Sequence, residues 1–165
     1  MNESKQDSIS QGVSPFELSI RRTIDAPRAA VWRCWVEPSL LKQWYCPKPW
    51  FVSHAEQDVR PGGASLVVMN GPGGEEVRNP GQFLEVVDGQ RLVFTDAFSG
   101  DWHPAGKPFM VGFVELRDLP GGKTDLHWGA RHWNAADRDQ HLAMGFEPGW
   151  NAAADQLNQL AQSLG

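Results

Sequence analysis

The fold is decided by residues 142–164, which read LAMGFEPGWNAAADQLNQLAQSL. Apolar residues recur along this stretch at intervals of three and four, the spacing at which side chains share one face of an α-helix. That face carries Leu142, Phe146, Trp150, Ala153, Leu157, Leu160 and Leu164. Pro148 and Gly149 interrupt the pattern near its start, which favours a kinked or two-part helix. A single apolar face of this width needs a broad partner, and we expect that partner to be a sheet.

The middle of the chain has the pattern of β-strands separated by tight turns. Residues 16–24 alternate between apolar and polar side chains, which is typical of a strand with one solvent-exposed face. Turn signals rich in Pro and Gly then divide residues 50–132 into about six further strands. Two short helices are predicted between the first strand and the rest. The fold class is therefore predicted to be α+β, with a curved antiparallel sheet of about seven strands around the long C-terminal helix.

Length and composition indicate one ordinary globular domain at residues 16–165, preceded by a polar, disordered tail at residues 1–15. The formal net charge of −5 and the absence of any basic run argue against a nucleic-acid or membrane-surface binder. Cys34 and Cys46 have no CxxC spacing, so no disulfide framework is expected. The chain shows no signal peptide and no membrane-span pattern, so we expect a cytoplasmic protein.

Several phrases, in this order along the chain, resemble one known family. They are Ile24-Asp25-Ala26-Pro27 with Val31-Trp32, Arg60-Pro61-Gly62-Gly63, and residues 144–150, which read MGFEPGW. Over residues 16–164 the chain resembles the START-like (SRPBCC) helix-grip superfamily, and most of all its bacterial branch similar to heat-shock-protein-90 ATPase activator homologues. The resemblance implies a strongly curved sheet that grips the long helix, with a cavity between them. In relatives such a cavity holds a lipid, polyketide, hormone or other apolar molecule, and some relatives are aromatases or cyclases.

Aromatic and apolar side chains predict a ligand pocket in this interior, because such pockets are mostly apolar with a few orienting polar groups. Alternation places Trp128 on one face of the last strand, and Phe109, Val111 and Phe113 together on one face of the strand before it. The alternative is that these side chains simply fill the core. The predicted lining residues are Trp50, Phe83, Phe94, Phe98, Trp102, Phe109, Val111, Phe113, Trp128, Phe146 and Trp150.

Three polar residues are candidates for catalysis, namely Asp96, His103 and His132. Asp96 and His132 lie on strands that could project an acid or a base into an apolar cavity, where burial would disfavour the ionised form of a carboxylate and let it act near neutral pH. His103 follows Asp101 and Trp102 in a loop that could border the pocket mouth. The alternative for all three is an ordinary polar residue in water. No His, Cys or carboxylate spacing indicates a metal site, and no cofactor motif is present.

The leading functional hypothesis is the binding of an apolar or aromatic small molecule between the sheet and the C-terminal helix. The first alternative is an enzyme resembling polyketide cyclases or aromatases. The second is a protein-interaction module related to chaperone ATPase activators, although the short polar tail cannot be the additional N-terminal domain with which the eukaryotic activator docks on the chaperone. A homodimer is compatible with each of the three.

Overall fold

The structure is a computed structural model that describes residues 15–164. The tail predicted to be disordered lies outside the described residues, apart from Pro15. The strands are β1 (Glu17–Ile24), β2 (Phe51–Gln57), β3 (Ala64–Asn70), β4 (Glu76–Val87), β5 (Arg91–Thr95), β6 (Met110–Leu119) and β7 (Lys123–His132). The helices are α1 (Arg28–Val36), α2 (Pro38–Leu41), α3 (Ala135–Ala143) and α4 (Phe146–Leu164).

All seven strands form one antiparallel sheet in the order β1-β7-β6-β5-β4-β3-β2. Strands β2 to β7 follow one another as a meander, joined by short turns except for the longer loop at residues 96–109 between β5 and β6. β1 pairs with β7, so β1 and β2 form the two edges of the sheet, and the chain passes between them through α1 and α2. The α+β class with two short helices after the first strand is confirmed.

The long helix α4 packs its apolar face against β1 and α1. Phe146 and Leu157 are buried on this face. Polar contacts fix the helix along β1, because the Arg22 guanidinium donates to the backbone carbonyl of Asn151 at 3.0 Å and pairs with the Asp155 carboxylate. Neither α4 nor any other helix within residues 15–164 is long and apolar enough to cross a membrane.

The two-part helix predicted at the C-terminus is confirmed, but the break lies before Pro148. The chain turns between α3 and α4 at Gly145, whose φ of +92° is a conformation that favours glycine. Pro148 then falls in the first turn of α4, where its missing N–H has no helical partner to lose. Leu142 belongs to α3 and is 50% exposed, so its predicted place on the apolar face of the long helix was wrong.

Helix α3 was not predicted, because its sequence AADRDQHLA carries too few apolar residues to show a helical stripe. It begins at Asn134, whose side-chain Oδ1 accepts a hydrogen bond from the backbone N–H of Asp137 at 2.8 Å. This N-cap satisfies one of the free N–H groups of the first turn. The helix brings His141 into the interior.

Cys34 and Cys46 are buried free thiols, as their spacing predicted. Burial raises the pKa of each thiol to about 11. Both side chains are therefore protonated near neutral pH and act as small apolar residues in the core.

Candidate functional site

A small, partly open cavity of about 50 Å³ lies between the two short helices and the half of the sheet that comprises β2, β3, β4 and β5. Its wall is mostly apolar with a few polar side chains. It is formed by Trp35, Leu41, Tyr45, Gln57, Ser65, Val67, Phe83, Leu92 and Phe94. Among the described residues that form this wall, none belongs to α4. The cavity therefore does not lie directly against the C-terminal helix, where the sequence placed it.

Aromatic rings fill the space where the sheet faces α4. Trp128 on β7 stacks on Trp150 of α4 with 4.3 Å between ring centroids, and it meets Trp35 edge-on at 5.1 Å. Trp44 meets Trp35 edge-on at 4.7 Å, and its indole Nε1 donates to the backbone carbonyl of Cys34 at 2.9 Å. This cluster accounts for much of the high Trp content. It also explains why free volume remains only towards β2–β5.

Polar atoms without partners are present in the cavity wall. The indole Nε1 of Trp35 and the amide Oε1 of Gln57 are buried and have no hydrogen-bond partner among residues 15–164. Gln57 is held by its other end, because its Nε2 donates to the backbone carbonyl of Trp35 at 2.8 Å. Buried polar atoms are almost always paired, so a guest with one acceptor and one donor would complete this site.

Tyr45 adds a hydroxyl group to the same wall. Burial raises the pKa of Tyr45 to about 12, with a smaller contribution from neighbouring Cys46. The phenol therefore stays protonated at neutral pH and can both donate and accept a hydrogen bond. The wall contains no acidic or basic side chain, so its hydrogen-bonding groups are all neutral.

Phe83 and Phe94, two of the predicted lining residues, do lie in the cavity wall. They sit opposite each other on β4 and β5, with 6.4 Å between ring centroids. The Phe94 ring extends over Gly112 on β6, where a Cβ atom would stand 2.3 Å from the ring carbon Cε2. Glycine at position 112 is therefore what allows the ring to occupy this place.

Gly112→Ala is expected to displace the Phe94 ring towards the cavity and to lower the free energy of unfolding by about 1–3 kcal/mol, as overpacking does. Urea unfolding measures the change. Gly106→Ala is the matched control, because no atom lies within 4 Å of the Cβ position there. Equal losses in the two variants would contradict the close approach at Gly112.

Val111 and Phe113 lie on the outer face of the sheet, contrary to the prediction. The neighbouring Val114 pairs with Trp128, and this pair points into the interior, so Phe113 points outwards. The Arg131 guanidinium covers the Phe113 ring at 4.2 Å from its centroid. The prediction combined aromatic residues of β6 and β7 without their register, and the register places the two sets on opposite faces.

Trp128, Phe146 and Trp150 lie in the interior but outside the cavity wall. Phe146 and Trp150 pack together near the start of α4, with 4.3 Å between ring centroids. Phe109 lies close by, 5.4 Å from the His132 ring and 5.2 Å from the His141 ring. These four side chains build the aromatic core beneath α4.

Trp50, Phe98 and Trp102 lie at the periphery. Trp50 packs beside Gly71 in the turn after β3. Phe98 and Trp102 contact each other at 5.5 Å between centroids, and the Trp102 side chain is 52% exposed. None of these three residues is part of the cavity wall.

None of the three catalytic candidates is part of the cavity wall either. The Asp96 carboxylate accepts hydrogen bonds from the backbone N–H groups of Phe109 and Met110, at 2.9 and 3.3 Å, and so fixes the start of β6. His103 is exposed in the loop after β5. His132 is buried and pairs with another histidine. The geometry therefore gives the enzyme alternative no acid or base in this cavity.

The histidine pair is a feature that the sequence did not reveal. His132 Nδ1 lies 2.8 Å from the carbonyl oxygen of Phe16, so it carries a proton, because a carbonyl only accepts. In the neutral ring His132 Nε2 is then an acceptor, and it accepts from His141 Nδ1 at 2.9 Å. Burial, together with a smaller contribution from His132, lowers the pKa of His141 to about 4. The His141 ring is therefore neutral at physiological pH, and its hydrogen bond to His132 joins β7 to α3.

The polar residues of the cavity wall were also missed. One signal was available, because Gln57 shares its strand face with Ala55, which alternation marks as the inward face. Tyr45 gave no such signal, since it lies in an irregular segment without periodicity. The two polar groups come together only through the packing of that segment against β2.

Comparisons with known proteins support the same architecture. A family model described as "Activator of Hsp90 ATPase homolog 1-like protein" matches residues 25–162. A protein of Nitrosomonas europaea is 37% identical, with a TM-score of 0.88 over 92% of this chain and 97% of its own. An AHSA1-like protein of Aeromonas hydrophila is 21% identical, with a TM-score of 0.68 over 90% of this chain and 93% of its own, and it shows the fold alone. No curated protein matches the chain. With most of its length covered by the family model, the chain belongs to the family of Activator of Hsp90 ATPase homolog 1-like proteins and has the START-like helix-grip fold.

Proposed function

We propose that this protein binds a small, uncharged molecule with an apolar or aromatic body in the cavity between α1, α2 and strands β2–β5. The observation that carries the proposal is the pair of unpartnered buried atoms in the wall, the donor Nε1 of Trp35 and the acceptor Oε1 of Gln57. A buried, unsatisfied polar atom costs about 1–3 kcal/mol, so a guest that bonds to both atoms would recover part of that free energy.

The guest is uncharged because the wall offers no countercharge. A carboxylate or an ammonium group would lose its water on entry and find only neutral hydroxyl, amide and indole groups. A hydroxyl or carboxamide group fits better, because it can accept from Trp35 and donate to Gln57 at the same time. The apolar body of the guest would lie against side chains such as Phe83, Leu92 and Phe94.

The cavity volume sets a condition on binding. A cavity of roughly 150 Å³ takes up benzene, whereas this one has about 50 Å³, which is room for a few water molecules. A guest with an aromatic ring therefore requires part of the wall to move. Burial of apolar surface drives that movement, at about 25 cal/mol for each Å² removed from water.

Benzyl alcohol is expected to bind the wild-type protein at least tenfold more tightly than benzoate and benzylamine, which carry a charge on a body of similar size. Toluene, which lacks the hydroxyl group, should also bind more weakly. The measurement is the NMR shift of the Trp35 indole N–H during titration with each compound. The proposal is wrong if benzyl alcohol leaves this signal unchanged or if benzoate binds as tightly.

Gln57→Leu removes the acceptor and is expected to weaken benzyl alcohol binding by about five- to tenfold, the loss of one hydrogen bond. Gln90→Leu, at an exposed turn position, is the control and should bind as the wild type does. Thermal unfolding of both variants separates binding from stability, because Gln57 also donates to the Trp35 carbonyl.

A cytoplasmic location, a homodimer and a protein-interaction role remain predictions from the sequence. The family name refers to a chaperone activator, and the exposed apolar side chains of Trp133, Leu142 and Met144 offer a surface that such a role could use. The cavity is the better supported site, because its mostly apolar wall contains a buried donor and a buried acceptor without partners.

A further inference from the structure

Residues 42–50, between α2 and β2, cover one side of the cavity, and we call them the cover segment. They contain neither helix nor strand. The segment brings Tyr45 into the cavity wall. The other wall residues, including Leu41 at the end of α2, belong to helices or to paired strands. The cover segment is therefore the part of the wall that lies outside the helices and strands.

A single side chain of α4 ties the cover segment down. Gln156 Nε2 donates to the backbone carbonyls of Trp44 and Cys46, each at 2.9 Å. Gln156 Oε1 accepts from the backbone N–H of Lys48 at 3.0 Å. The amide thus uses both of its hydrogens and its oxygen on three backbone groups of one irregular segment. Among the described residues, no other α4 side chain hydrogen-bonds to this segment.

The position of these hydrogen bonds indicates which part of the cover segment can move. Trp44 is fully buried and its indole is bonded to the Cys34 carbonyl, so it anchors the beginning of the segment. The backbone N–H of Tyr45 donates to the Leu41 carbonyl at 3.1 Å, whereas two of the three Gln156 bonds act on the later residues Cys46 and Lys48. Release of Gln156 would free residues 46–50 and so loosen the packing of Tyr45 at the cavity wall.

We infer that Gln156 is a positioning residue for ligand binding, which latches the cover segment over the cavity and whose release admits the guest. The inference rests on the proposed function, because it takes the 50 Å³ cavity as the closed state of a binding site. Gln156 itself does not touch the guest, since it is not part of the cavity wall. This role depends on the two hydrogens of the Gln156 side-chain amide, whereas a general role in helix packing would not.

Gln156→Glu tests this dependence, because glutamate has the same size and keeps the acceptor for Lys48 but cannot donate to the two carbonyls at neutral pH. Hydrogen exchange at the amides of residues 46–50 is expected to become at least tenfold faster, with the amides of β6 and β7 unchanged. Benzyl alcohol should enter this variant at least fivefold faster than the wild type. Gln156→Leu should give the same result. Gln159→Glu, exposed on the same helix, is the control and should match the wild type.

The outcomes separate the latch from the binding function. Faster exchange confined to residues 46–50, together with faster entry of benzyl alcohol, supports the inference. Unchanged exchange in both Gln156 variants overturns the latch even when benzyl alcohol binds. If benzyl alcohol binds no variant while exchange at the segment rises, the proposed function fails and the role of Gln156 in binding fails with it, but the hydrogen-bonded latch itself is upheld.

Discussion

Trp44→Ala is expected to lower the free energy of unfolding by about 3–5 kcal/mol, the cost of removing a large buried aromatic side chain. Trp44 is fully buried and lies 4.7 Å from the Trp35 ring and 5.6 Å from the Trp128 ring. The substitution also leaves the Cys34 carbonyl without its indole donor. Since domains of this size are stable by about 5–15 kcal/mol, such a loss is a large part of the total. Guanidinium unfolding followed by circular dichroism measures it.

Two variants separate the causes of this loss. Trp133→Ala removes the same atoms at a site that is 47% exposed, and it should cost less than 1 kcal/mol, as surface substitutions usually do. Trp44→Phe keeps a ring but removes the hydrogen bond to Cys34, so it should fall between the two alanine variants. Similar losses for Trp44→Ala and Trp133→Ala would show that the aromatic cluster is not the centre of the core.

The features that the sequence predicted correctly are those that depend on neighbouring residues. Alternation and turn glycines act over a few residues, so the seven strands and their connections could be located. The apolar face of α4 was visible for the same reason, since Phe146 and Leu157 recur at helical spacing and are buried. Alternation also placed His127 and His132 on opposite faces of β7, and the structure agrees: His127 stands near Glu115 on the outer face, while His132 points inwards.

The cavity could not be located from the sequence, because its position depends on how distant elements pack. The stacking of Trp128 on Trp150 fills the space beneath α4, and this contact joins residues that no local pattern relates. Tyr45 reaches the wall from an irregular segment, and its neighbours Trp44 and Cys46 hydrogen-bond to Gln156, more than a hundred residues further along the chain. Alternation predicts that a side chain faces inwards, but it does not predict whether another side chain already occupies that space.

Acidification is expected to destabilise the fold through His141. Burial, together with a smaller contribution from His132, lowers the pKa of this imidazole to about 4. The unfolded chain takes up a proton on this ring near pH 6.5, whereas the folded chain resists protonation down to about pH 4, so the unfolded state binds more protons in between. Stability is therefore fully present above pH 6.5 and falls as the pH drops, by at most about 1.4 kcal/mol per pH unit. Over the whole window we expect a loss of about 2–3 kcal/mol, measured by urea unfolding at several pH values.

His141→Asn isolates this contribution, because asparagine can place an N–H donor near the position of Nδ1 but does not titrate. Its stability should depend less steeply on pH between 6.5 and 4 than that of the wild type. His103→Asn, in an exposed loop, should keep the wild-type slope, since the carboxylates that titrate in this range are the same in all three chains. Parallel curves for the wild type and His141→Asn would contradict the prediction. The hydrogen bond between His132 and His141 joins β7 to α3, so acid should first increase hydrogen exchange in α3, before the β6–β7 pair loses protection.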